Sequence, residues 1–110
     1  MKTYRGVRGS HKIEVTVDRH PLDLRLDLYC HSLDGFAWGC GNNGAAQLAL
    51  AILADHLADD EQALLLHQYF KWDVILSLPR QRWQLTERDI DRRLQVIMHE
   101  HKITFKTSQM

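Results

Sequence analysis

The stretch Gly44–Leu57, GAAQLALAILADHL, limits what this chain can fold into more than any other. Read as a helix, it is apolar on nearly every side, with only Gln47, Asp55 and His56 as polar exceptions. A helix that is hydrophobic almost all round has no face to give to water and must sit in the middle of the domain. The rest of the chain therefore has to wrap it. A single domain of 110 residues is large enough to do so, burying roughly 65% of its unfolded surface without metals or disulfides. The 45% hydrophobic and 25% charged content suits one globular domain, with a core over residues 3–101.

Upstream of this helix the periodicity is two. Thr3–Arg8 reads as a short strand closed by Gly9-Ser10. In Lys12–Asp18, Ile13, Val15 and Val17 share one face. After the turn Asp18-Arg19-His20-Pro21 the alternation resumes with Leu22, Leu24, Leu26 and Leu28. Alternation of this kind marks half-buried strands, and the short turn implies an antiparallel hairpin. Downstream the period becomes helical. Asn43 or Gly44 is positioned to cap the central helix. Asp59 caps a second, Asp60–Leu78, whose stripe is Ala63, Leu66, Phe70, Val74 and Ser77. Its end, Trp72–Leu78, is apolar and β-branched enough to be a strand instead, and Pro79 closes it either way. Thr86 caps a third helix, with Asp89 as the capping-box acid and Ile90, Leu94, Ile97 and Met98 as the buried stripe. Residues 102–110, with Ile103–Thr107 alternating, are an edge strand or a frayed tail. The expected fold is α+β: a three-stranded antiparallel sheet followed by three helices packed on one face.

Charge is balanced overall but unevenly spread. Residues 1–12 carry a net +4, residues 13–78 a net −7 and residues 79–110 a net +3. The two ends are thus expected to form a basic face opposite an acidic one. Cys30 and Cys40 make no disulfide framework, and Met1–Arg5 has no apolar signal core, so a cytoplasmic location with reduced thiols is expected. The longest apolar run, Leu48–Ala54, falls far short of the roughly 20 residues of a membrane span, so no membrane role is expected.

The ordered series Tyr4-Arg5-Gly6-Val7, Val15-Thr16-Val17-Asp18, Pro21-Leu22-x-Leu24-Arg25-Leu26-Asp27-Leu28 and His31-Ser32 resembles a family of small bacterial proteins. The resemblance continues through Gly35-Phe36-x-Trp38-Gly39, Gly44-x-Ala46-Gln47-Leu48-Ala49-Leu50-Ala51-Ile52-Leu53, Phe70-Lys71-Trp72, Leu78-Pro79 and Trp83-x-Leu85-Thr86, and covers roughly residues 3–95. That family is known as a domain of unknown function, often carried on phages, plasmids and other mobile elements. The resemblance implies no activity, cofactor or catalytic residue.

Several groups of residues invite a chemical reading. Gly39, Gly41 and Gly44 lead into the central helix, whose N-terminal N–H groups suit an anion. No Lys-Ser/Thr follows Gly44, and the antiparallel pattern offers no parallel βαβ unit, so neither a P-loop nor a dinucleotide fingerprint is present. Phe36 and Trp38, two apart, share a face in extended chain: a stacking platform if exposed, a lid over the helix if buried. Arg80, Arg82, Arg88, Arg92 and Arg93 surround Trp83, with Glu87, Asp89 and Asp91 interleaved. Seven histidines are many for this length, but no Cys-x-x-Cys or His-x-x-x-His supplies structural-zinc spacing. His31 and Asp34 are near enough in sequence for an acid–base pair, yet Gly-x-Ser-x-Gly and His-Glu-x-x-His are both missing. The reading that follows is a non-enzymatic, cofactor-free accessory protein that binds another macromolecule, protein in the first instance. Its candidate surface is Phe36, Trp38, Gly39, Gly41 and Asn43 together with Arg80, Arg82, Trp83, Arg88 and Arg92. The alternatives are a nucleic-acid binder using Arg80–Arg93, and a phosphate-ligand protein or enzyme built on the 39–44 glycine loop.

Overall fold

A computed structural model describes residues 1–39 and 42–103. Strands β1 (Thr3–Arg8), β2 (Ile13–Val17) and β3 (His20–Pro21) are followed by helices α1 (Asn43–Leu57) and α2 (Asp60–Asp73). A 3₁₀ turn, Ile75–Ser77, leads to strand β4 (Arg82–Thr86) and helix α3 (Glu87–His101). The strands form one antiparallel sheet in the order β3-β2-β1-β4, so the first strand lies inside it and a strand from late in the chain closes its far side.

The register explains which side chains go inside. Tyr4 stands between Val17 and Leu85, and Gly6 between Val15 and Trp83. Tyr4, Val15, Trp83 and Leu85 join the core, while Arg5, Glu14, Arg82 and Gln84 on the opposite face are exposed. Gly6 is small for a reason: a Cβ there would lie 2.3 Å from Nε1 of the Trp83 indole, which rests on the bare backbone. The helices lie on the core side, as expected of an α+β fold with one wet sheet face.

α1 occupies the centre. Gly44 to Ala54 are all buried, Gln47 included. The helix is capped one residue earlier than the sequence predicts: the Asn42 side chain, rather than Asn43 or Gly44, accepts from the Ala45 N–H. α2 buries Ala63, Leu66 and Phe70, with Val74 just past its end, while Ser77 is exposed. It stops at Asp73, so Trp72 and Asp73 are its last residues and the rest of the stretch, 74–78, is neither α-helix nor strand but tightens into the 3₁₀ turn. α3 carries the expected capping box, in which Thr86 and Asp89 exchange hydrogen bonds of 2.9 and 3.1 Å.

Two corrections concern the sheet. The third strand expected over Leu22–Leu28 does not form; the two-residue β3, His20–Pro21, lies before it, in the expected turn. The Asp23 carboxylate accepts the Arg25 N–H at 2.7 Å, and Arg25 adopts φ 56°, a left-handed conformation that breaks an extended run. The carbonyls of Leu24 and Tyr29 are then taken by the Gln47 side chain instead of a strand partner. The second correction is β4, absent from the three-strand expectation, in which Trp83 and Leu85 point in and Arg82 and Gln84 point out. The C-terminal strand expected beyond Ile103 lies outside the described residues, as does Gly41.

Candidate functional site

The segment from Leu22 to Gly39 crosses from the sheet to α1, and polar side chains hold it down. Gln47 is fully buried on α1 and makes four hydrogen bonds to it. Its Oε1 accepts the N–H of His31 (2.7 Å) and of Ser32 (3.1 Å); its Nε2 donates to the carbonyls of Leu24 (2.7 Å) and Tyr29 (3.0 Å). One buried amide thus satisfies two donors and two acceptors of an irregular chain, a requirement rather than an option for buried backbone. The same segment reaches α2 through His31, whose Nε2 lies 2.9 Å from Nε2 of His67. His67 is buried, and its Nδ1 lies 2.7 Å from the Leu64 carbonyl oxygen. Burial pushes both imidazoles below the ordinary histidine range. For His31 the neighbouring His67 and Lys71 charges add to this, while for His67 hydrogen bonds to the Leu64 and Ala63 carbonyls oppose it. Asp34 is exposed, and His31 pairs with His67 rather than with it.

Around Phe36 the surface is concave. A cleft of about 620 Å³ runs from Cys30 to Ala37 and along Asn42–Gly44 at the start of α1. A second, of about 450 Å³, lies along β2 and the Arg19–Leu24 turn; a third, of about 590 Å³, follows the Arg8–Ile13 hairpin. Gly35 and Phe36 line all three. Gly44 allows this arrangement, since a Cβ on it would come within 2.9 Å of the Ala37 Cβ. The third cleft is bordered by Arg8, His11 and Lys12, the second by Arg19, against the acids Asp34 and Glu14.

The structure sorts the residues predicted from sequence into two sets. Phe36 is half-buried at the clefts and Asn43 is exposed at the first turn of α1. Trp38 and Trp83 are core residues, 1% and 6% exposed, meeting edge to face with centroids 5.6 Å apart, so neither is a stacking platform. Trp38 Nε1 donates to the Arg80 carbonyl (3.0 Å), as does Arg8 Nε (3.0 Å), and the Arg8 guanidinium sits 5.1 Å from the Trp38 ring. Gly39, at φ 77°, donates its N–H to the Ile75 carbonyl and turns the chain back toward α1. The loop and residues 80–83 therefore do come together. Arg88 and Arg92 are exposed on α3, which starts at the Thr86 end of β4, itself roughly 13 Å from Arg82 at about 3.3 Å of strand rise per residue.

Sequence reasoning missed Gln47 and His67 as members of this region. Gln47 had one signal, a lone amide in an otherwise apolar helix; His67 had none, because its partner lies 36 residues away. It also missed the one grouping of metal-type ligands among the described residues, Asp73, Glu100 and His101, whose ligand atoms lie within 4.8 Å of one another where α2 and α3 end. Asp73 is half-buried and the other two are exposed. No helix among the described residues is long and apolar enough to cross a membrane.

No curated protein and no solved structure matches this chain. A match over residues 4–96, which take in all of the sheet but Thr3, the Gln47 clamp and most of α3, places it by sequence: the chain belongs to the Family of unknown function DUF6166.

Proposed function

We propose that this protein is a non-enzymatic cytoplasmic interaction module that grips an extended, acidic segment of a partner protein in the clefts around Phe36. The observation that carries this reading is the position of Phe36. A large aromatic held half-buried on a well-fastened segment, and shared by three adjoining clefts, is an anchor of the kind that interfaces use. Arg8, His11, Lys12 and Arg19 on the cleft walls favour a negatively charged partner and speed its approach. The contact surface is accordingly the Phe36 loop with the β1–β2 hairpin, and α3 lies outside it. A bacterial setting, with carriage on a mobile element, is part of the proposal and rests on the sequence resemblance.

The test is an affinity capture from host lysate, with and without nuclease, using the tagged protein and two variants. Phe36→Ser with Lys12→Glu and Arg19→Glu is expected to lose a protein that wild type retains in both arms. Arg88→Glu with Arg92→Glu is expected to keep it. Circular dichroism checks that both variants are folded. Retention abolished by nuclease, falling steeply with salt, would replace this reading with nucleic-acid binding. Retention lost only in the α3 variant would move the surface to the arginines. Thermal stabilisation by a phosphate compound without any captured macromolecule would favour the glycine-loop ligand reading instead.

A further inference from the structure

We propose that His31 and His67 form a proton-operated latch that fastens the Tyr29–Phe36 segment to α2 when the pair carries at most one added proton and releases it when both rings are charged. The geometry assigns the protons. The Leu64 carbonyl can only accept, so the His67 Nδ1 at 2.7 Å from it must carry hydrogen. Neutral His67 then presents a bare lone pair at Nε2, and the His31 Nε2 at 2.9 Å must be the donor. His31 is left with its own lone pair at Nδ1. The ring centroids are 5.1 Å apart, close to that gap plus the two ring radii, so the imidazoles meet end-on. Their nitrogens aim at each other rather than converging on a third point, which is the arrangement of a shared proton and not of two ligands to one metal ion.

The order of protonation follows. A first proton from solvent goes to His31 Nδ1, and the resulting imidazolium still donates from Nε2 to His67, now as a charge-assisted hydrogen bond. The Tyr29 ring, 4.5 Å from His31 by centroids, faces this cation. A second proton has one place left, His67 Nε2. It puts two N–H groups and two positive charges head to head at a separation where one must move away. The groups that act on the pair are Tyr29 from the segment itself and Lys71 from α2, while the uncharged Gln47 on α1 accepts the His31 backbone N–H. Lys71 adds a third positive charge, and burial opposes charging of both rings, which places release on the acid side of the ordinary histidine range. Gln47 does not titrate, so the released segment stays hinged on α1 while its hold on α2 is gone. Release loosens the segment that carries Phe36 from beside the clefts it lines, and that consequence alone rests on the function proposed above.

The experiment reads ring nitrogens and backbone amides of the full chain by NMR from pH 8 to pH 4, with no partner present. At pH 8, His67 is expected as the Nδ1–H tautomer and His31 as the Nε2–H tautomer. Two separate steps are expected on acidification, His31 first, with the amides of residues 29–36 moving in the second step. His67→Gln, which keeps a neutral hydrogen-bonding side chain, is expected to remove that amide response. If that variant does not fold, His31→Gln on the more exposed side serves the same purpose. A single step at the ordinary histidine value for both rings would overturn the latch. So would hydrogen on His67 Nε2 at pH 8, or loop amides that follow the first step.

Discussion

Gln47 shows how much one side chain decides in this fold. Its two donors and two acceptors replace a strand partner for the Leu24–Ser32 backbone, and no apolar residue of similar volume can do that. Gln47→Leu is expected to lower the unfolding free energy by at least about 2 kcal/mol, because removing one partner leaves the others' desolvation unrepaid. It is also expected to raise amide exchange at His31 and Ser32 above that of α1; urea titration and hydrogen exchange measure the two. The sequence marked this residue only as an oddity in an apolar run. What it binds was not legible, since its partners are backbone groups 15 to 23 positions away that carry no residue-type signature. The aromatics were easier. Phe36 and Trp38 invited both a platform and a lid; the Trp38–Trp83 contact puts Trp38 in the core, while Phe36 stays half-buried at the clefts.

At the level of elements, helices were read well and strands unevenly, for a physical reason. α1 announces itself as an unbroken apolar run and α3 by its periodicity over four turns, and the Thr86–Asp89 box has a fixed spacing, so the existence of both helices and the cap of α3 were legible. β4 offers only five residues, and its alternation of Trp83 and Leu85 was masked by the arginines around it. Leu22–Leu28 has a strand's alternation but a turn's chemistry at Asp23 and Arg25, and the local hydrogen bond wins. The helix ends supply a direct test. Ala58 closes α1 at φ 52°, ψ 36°, donating its N–H to the Ala54 carbonyl. A Cβ in this left-handed conformation costs roughly 1 kcal/mol that glycine avoids. Ala58→Gly is therefore expected to stabilise the protein by about 0.5–1 kcal/mol, seen as a higher urea midpoint at unchanged slope; a lower midpoint would contradict the assigned cap.

For the whole molecule, acid stability separates the titrating groups by pH window. His31 and His67 are both held below their ordinary 6.5 in the fold, so the unfolded chain binds protons more readily than the native one. Their contribution is fully present above about pH 6.5 and is lost as pH falls from there through the lower native values. Asp89, held below its ordinary 3.8 by the Thr86 backbone and side-chain hydrogen bonds, behaves similarly but only in that more acidic range. Urea midpoints are therefore expected to be flat between pH 8 and 7 and to drop as pH falls below about 6.5. His31→Gln is expected to flatten the drop, and a decline confined to below pH 4 would contradict the histidine assignment.

The strand order also has a consequence in time. Arg5 and Gln84, neighbours across the β1–β4 ladder, are 79 residues apart in the chain. On a ribosome adding about 5–20 residues per second, β1 waits about 4–16 s for β4, its hydrogen-bonding edge open throughout. α1 and α2 emerge during that interval and give the hairpin an apolar surface to settle on, but they cannot cover the edge. A chain cut short before Arg82 would keep that edge permanently, and with it a place for another unfinished copy to add its own strand.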